Sequence, residues 1–120
     1  MDFFSAYDQG FARVAACTVP VAIADPARNA ETVLEQARAC HEDGAVLAVF
    51  PELSLCGYAI DDLLMQDTLL EGVIEAIGTI AVGSADLAPM IVVGAPLVHG
   101  TRVLNCAVVI HRGRVLGVAP

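Results

Sequence analysis

Not one of the 120 residues is a lysine, and none is a tryptophan. The positive side chains are six arginines (Arg13, Arg28, Arg38, Arg102, Arg112 and Arg114) set against fourteen carboxylates, for a net charge of −8. A chain this acidic lacks the basic face that displaces counterions from phosphates, which argues against nucleic acid as a partner. No apolar run approaches the roughly 18 residues needed to span a membrane. The start, Met1-Asp2-Phe3-Phe4-Ser5, has neither a basic n-region nor a long apolar core, so neither a signal peptide nor a membrane partner is expected. Cys17, Cys40, Cys56 and Cys106 contain no C-x-x-C pair and no regular spacing. With apolar neighbours they read as free, buried thiols of a reducing, cytoplasmic compartment. His41, His99 and His111 are too scattered for metal-ligand spacing. The segment Asp25-Pro26-Ala27-Arg28-Asn29 has no glycine cradle, so a nucleotide phosphate site is not expected there.

What the chain has in excess is apolar surface: 57% of its residues are hydrophobic, with a mean hydropathy of +0.68. A domain of this size buries only about two-thirds of its unfolded surface. The composition therefore predicts burial against a partner or against more of the same chain. The final stretch, Val115-Leu116-Gly117-Val118-Ala119-Pro120, is apolar without a polar tail, which adds the expectation that residues 1–120 are the N-terminal part of one larger domain, with no second domain among them.

The apolar pattern switches period along the chain. Residues 1–10 form an aromatic-bearing leader (Phe3, Phe4, Tyr7) expected to dock. A first strand is predicted from Arg13 to Ile23, then a turn at Asp25-Pro26. Asn29 is a candidate N-cap for a helix from Ala30 to Asp43, with Glu31 in its first turn. Val33, Leu34, Ala37 and Cys40 supply its buried stripe, and Gly44 its left-handed stop. A second helical region is predicted from Asp61 or Asp62 to about Ala81, with Leu69, Leu70, Val73, Ile74, Ile77 and Ile80 on one apolar face. Gly72 and Gly78 allow a break in it. A third strand covers Met90 to Ala95. Val103 to His111 and Arg114 to Ala119 then read as a hairpin turning at Arg112-Gly113. Strands alternating with helices imply an α/β fold with a mainly parallel or mixed sheet.

The stretch Ala45-Val46-Leu47-Ala48-Val49-Phe50 is too short and too β-prone for a helix, and reads as a strand buried on both faces. Pro51 stops it, and Glu52 comes next. In α/β sheets chemistry gathers beyond the carboxyl ends of strands, where burial raises a carboxylate's pKa toward general-base values. The other reading is a Glu in the first turn of a following helix, favoured by the helix dipole. Position alone favours this second reading.

Glu52 within Phe50-Pro51-Glu52-Leu53-Ser54-Leu55-Cys56-Gly57-Tyr58 resembles the first catalytic motif of the nitrilase (carbon–nitrogen hydrolase) superfamily. The resemblance is closer still to the glutaminase domains of glutamine-dependent NAD synthetases. It is carried by the leader Phe4-Ser5-Ala6-Tyr7, by Gly10-Phe11-Ala12-Arg13-Val14-Ala15-Ala16-Cys17, and by Asp61-Asp62-Leu63-Leu64. Val92-Val93-Gly94-Ala95-Pro96 and Asn105-Cys106-Ala107-Val108-Val109-Ile110 fit the family's next two strands. The likeness covers nearly the whole chain.

That resemblance implies an α-β-β-α sandwich, only part of it present here, with a mixed sheet and helices on one face. It implies a Cys-Glu-Lys triad that hydrolyses glutamine through a thioester, with Glu52 as the general base. The lysine and the nucleophilic cysteine are expected beyond Pro120. ATP and magnesium are expected in a synthetase domain outside this chain, and no cofactor within it; that domain and glutamine are the implied partners, in a homo-oligomer. Cys56 is not expected to be the nucleophile, since a thiol needs a basic neighbour or a helix N-terminus to ionise. Tyr58 lines the glutamine pocket or the ammonia exit, or else only packs beside Gly57. Asn105 is expected to satisfy backbone groups near the site. A stand-alone amidase or carbamoylase, and a non-catalytic α/β interaction domain, remain as alternatives.

Overall fold

The computed structural model describes residues 4–58 and 66–120. Its elements are β1 (Val14–Ala16), α1 (Pro26–Glu42), β2 (Leu47–Val49), α2 (Asp67–Gly83), β3 (Met90–His99), β4 (Arg102–His111) and β5 (Arg114–Ala119). The strands form one sheet in the order β1-β2-β3-β4-β5. The first three are parallel, with Ala15, Ala48 and Ile91 in one row, and β4 and β5 add on antiparallel. The alternation read from the sequence is the architecture found.

The strand order never reverses across the parallel part, so two right-handed crossovers lay both helices on the same face. That decides which side of each strand is buried. Ala48, Ile91, Val93, Val108 and Ile110 pack with Val33 and Ala37 of α1 and with Val73 and Ile80 of α2. Each fully buried aliphatic side chain of this kind contributes about 1.5–3 kcal/mol. Among the described residues, no helix covers those of the opposite parity. Val49 is 39% exposed and Val14 more so, so the expectation of a strand buried on both faces is corrected. Both crossovers carry their helices to the same side, so among the described residues one face of β2 is covered and the other is not. β5, at the edge, is exposed along its length.

Helix α1 begins four residues before the expected Ala30. The Asp25 carboxylate accepts from the Arg28 backbone N–H at 3.2 Å, and Pro26 takes the first helical position, where its missing N–H costs nothing. Asn29 is therefore inside the first turn and is not the cap. It is 2% exposed, and its side chain serves two loops instead. Glu31 accordingly falls outside the first turn. Of the expected stripe, Val33, Ala37 and Cys40 are buried and Leu34 only partly so, and Gly44 turns left-handed at φ 77° after the helix.

The first strand pairs only over Val14–Ala16 rather than from Arg13 to Ile23. Beyond Cys17 the chain leaves the sheet, and Ala22 is held by Asn29. Helix α2 runs unbroken through Gly72 and Gly78. Ile74 is 58% exposed and so departs from the predicted apolar face, whereas Leu69, Leu70, Val73, Ile77 and Ile80 are buried. Its predicted start at Asp61 or Asp62 lies outside the described residues, as does the Asp61-Asp62-Leu63-Leu64 likeness. β3 extends past Ala95 to His99. Pro96 is tolerated because β2 pairs with β3 only as far as Val92. The hairpin turn falls at Arg112 (φ 45°) and Gly113 (φ 87°), two left-handed residues whose twist matches the strands they join.

The leader docks through polar contacts, not by burying aromatics. The Tyr7 hydroxyl donates to the Gly44 carbonyl and accepts from the Arg13 N–H at 3.3 Å, while Phe4 and Phe11 are exposed. Phe3 lies outside the described residues. No helix among the described residues is long and apolar enough to cross a membrane.

Candidate functional site

Glu52 stands where β2 leaves the sheet. The Phe50 N–H still donates to Val92 at 2.9 Å, and Pro51 then ends the ladder. The next residues form a tight turn and not a helix: Ser54 N–H donates to Pro51 O (3.1 Å), and Cys56 and Gly57 N–H to Leu53 O (3.1 and 2.8 Å). The helix-dipole reading of Glu52 is thereby removed. Leu53 sits in the left-handed region at φ 52°, a strain that surrounding contacts must hold.

Those contacts come from β3 and α1. Gly94 N–H donates to Ser54 Oγ at 3.1 Å, and Leu55 N–H donates to Gly94 O at 3.1 Å. The turn can lie this close only because position 94 has no Cβ. From the other side, the Asn29 amide donates to Leu55 O (3.0 Å) and Ala22 O (2.8 Å), and accepts from Ala22 N–H (2.7 Å). The turn bearing Glu52 is thus bolted to the sheet and to the first helix.

The Glu52 side chain lies on the sheet face without helices, at the edge of a cavity of about 380 Å3 lined by Val49, Val92, Gly94, Asn105 and Ala119 among others. Both carboxylate oxygens have donors. Tyr58 Oη donates to Oε2 at 2.7 Å, and Asn105 Nδ2 donates to Oε1. The hydroxyl of Tyr58 and, to a lesser degree, the amide of Asn105 stabilise the charged form and lower the Glu52 pKa; burial opposes them weakly. The expected upward shift is therefore corrected. Its premise was desolvation, and on this open face the carboxylate is exposed to water. The same hydrogen bond raises the Tyr58 pKa, so the phenol remains a donor through neutral pH.

The structure brings Tyr58 to Glu52 itself, though the ring is 64% exposed. Asn105 was expected to bond backbone groups and instead contacts the carboxylate. Its signal was available in strand parity: Val103, Asn105, Ala107 and Val109 share one face of β4, and Asn105 is the polar member among apolar ones. Which way that face looked depended on where the helices lay.

Cys56 is wholly buried, and burial pushes its pKa up to about 11. Its thiol donates to the Gly57 and Leu53 carbonyls at 3.5 and 3.8 Å. A thiol so placed does not ionise near neutrality. All four cysteines are free and buried. His41 Nδ1 accepts from Ala88 N–H at 3.0 Å, and His111 Nε2 bonds Ala88 O at 3.1 Å. Among the described residues no cluster of His, Cys, Asp and Glu could hold a metal ion.

The mixed sheet thus has both helices on one face and a hydrogen-bonded carboxylate where an inner strand ends. Residues 13–119 match the carbon–nitrogen hydrolase family model, and the chain belongs to that family. Over all 120 residues it is 62% identical to the N-terminal region of the glutamine-dependent NAD(+) synthetase of Mycobacterium tuberculosis. The chain spans 18% of the length of that relative. The glutamine-dependent NAD+ synthetase of Acinetobacter baumannii, solved with ADP, superposes with a TM-score of 0.80 at 29% identity, covering 88% of this chain and 20% of that one. An amidase of the nitrilase superfamily from Nesterenkonia superposes at 0.76 with 24% identity, covering 90% of this chain and 42% of that one. That last likeness is one of fold.

Proposed function

We propose that this chain is part of the glutaminase domain of a glutamine-dependent NAD synthetase, and that Glu52 is its general base. Glu52 accepts the proton of a cysteine thiol, and the thiolate attacks the side-chain carbonyl carbon of glutamine. The tetrahedral intermediate expels ammonia as Glu52 returns the proton to the leaving nitrogen, which leaves a thioester. Water, deprotonated by the same carboxylate, releases glutamate. The nucleophilic cysteine, and a lysine that stabilises the oxyanion, come from outside these 120 residues. Tyr58 borders the glutamine site. ATP and magnesium act in a synthetase domain elsewhere in the protein, where the ammonia amidates nicotinate adenine dinucleotide, in a cytoplasmic homo-oligomer.

The observation that carries this reading is the placement of Glu52: a carboxylate ionised at neutral pH, its turn held at three points, facing a cavity at the carboxyl end of an inner strand. Closure of the open face by further protein would desolvate the carboxylate and raise its pKa, strengthening it as a base. The test is glutamine hydrolysis by the product of the complete reading frame. Glu52→Gln is expected to abolish glutamine-driven NAD formation, and added ammonium to restore it. Undiminished glutamine-driven synthesis by Glu52→Gln overturns the reading, and so does glutaminase activity of residues 1–120 alone. A stand-alone amidase is the second reading, favoured by the fold shared with the Nesterenkonia amidase; amide hydrolysis with no ATP-dependent synthesis in the same protein would select it.

A further inference from the structure

The two donors on Glu52 differ in how they are held. Asn105 lies inside β4, opposite Pro96 in an unbroken ladder with β3, so its backbone is fixed by strand pairing on either side of the position. Its amide must present Nδ2, because a carboxylate can only accept, and that donor neither titrates nor reverses. Tyr58 is at the far end of the turn, with most of its ring in water. From this asymmetry we infer that Asn105 is a positioning residue for the hydrolysis: it locks Oε1 and so reserves Oε2, the oxygen bonded to Tyr58, for receiving the proton. The inference rests on the general-base reading of Glu52.

The proton acceptor must be open to the incoming thiol, and later to water, within hydrogen-bond reach. Each carboxylate oxygen keeps a second lone pair, but a proton taken on Oε1 would weaken the bond that ties it to a rigid strand. Oε2 is freed by swinging one exposed phenol aside. Substrate arrival therefore displaces Tyr58 and leaves Asn105 in place. Among the described residues, the other titratable group lining this cavity is Cys106 on β4; β2, β3 and β5 face it with Val49, Val92, Gly94 and Ala119.

Asn105→Leu, Asn105→Ser and Tyr58→Phe, made in the product of the complete reading frame, separate the two roles through their pH profiles. The acid limb of kcat/KM reports the free enzyme and that of kcat the substrate complex. Both Asn105 variants are expected to move both acid limbs to higher pH, and to lower kcat about tenfold, the effect of losing one orienting interaction in the transition state, with KM nearly unchanged. Tyr58→Phe is expected to move the kcat/KM limb and leave the kcat limb in place. The smaller serine side chain, with melting curves for each variant, keeps the comparison valid if leucine disturbs the strand. Acid limbs unmoved in both Asn105 variants overturn the inference, as does Tyr58→Phe moving both limbs alike. A fully active Glu52→Gln control overturns the general-base reading itself; an inactive one with wild-type Asn105 variants overturns only the inference.

Discussion

Gly94 lies directly beneath Leu53: a Cβ built on Gly94 would stand 2.3 Å from the Leu53 nitrogen and 2.7 Å from the Pro51 carbonyl oxygen. Both obstacles are backbone, so neither can rotate away. Gly94→Ala is expected to push the turn carrying Glu52 off the sheet and to destabilise the fold by about 1–3 kcal/mol, the usual cost of overpacking. It should also lower glutamine hydrolysis in the full-length protein. Denaturant midpoints and initial rates check both; a wild-type midpoint would show that the turn is not seated on position 94.

Asn29 offers a second test of how that turn is held. Three of its hydrogen bonds join Ala22 and Leu55 in the interior, and a buried partner left unsatisfied costs about 1–3 kcal/mol. Asn29→Ala is expected to cost on the order of 2–4 kcal/mol on that basis. Asn29→Asp should also destabilise, because it sets a carboxylate against two carbonyls. Were Asn29 a helix cap, Asp would serve equally well. Equal denaturant midpoints for Asn29→Asp and the parent would therefore support the cap and refute the clamp.

The pKa of Glu52 is lowered from an ordinary value of 4.5, first by Tyr58 and then by Asn105. A carboxylate shifted in this direction contributes stability above its unfolded pKa, and the contribution is lost as pH falls through the folded pKa. The contribution is thus fully present near neutrality, and only below about pH 4.5 should stability fall with pH on this account. Tyr58→Phe is expected to move the Glu52 titration upward, as followed by carbon-13 NMR of labelled glutamate. An unchanged titration would mean that the Tyr58 contact does not persist in solution.

The uncovered sheet face carries Val14 and Val49, and the edge strand adds Val115, Leu116 and Val118, all exposed. Apolar patches of this kind mark interaction surfaces. The 120-residue chain by itself is expected to associate at tens of micromolar, and Leu116→Lys with Val118→Lys to reduce the association. Sedimentation velocity decides; a monodisperse monomer before substitution refutes the expectation.

Element order was legible because each strand and helix carries its own periodicity: the apolar run before Phe50, the stripe Val33, Ala37 and Cys40, and the Arg112-Gly113 turn. Boundaries were less so. Asp25-Pro26 read as a turn and is a helix start, since a cap and a first-turn proline have the composition of a turn. Ile74 shares the apolarity of its neighbours but misses their stripe, and only packing against the sheet separates them.

The sequence alone determined the α/β order, the acidic carboxylate placed just past an apolar strand, and the family likeness around Phe50-Pro51-Glu52, because these rest on local pattern and covalent neighbours. Tertiary structure decided which face of the sheet is open, that Asn105 and Tyr58 meet on one carboxylate, and that the pKa of Glu52 falls where burial would have raised it. Each of these depends on residues far apart in the chain and on the side to which two crossovers carry their helices, which no local pattern encodes.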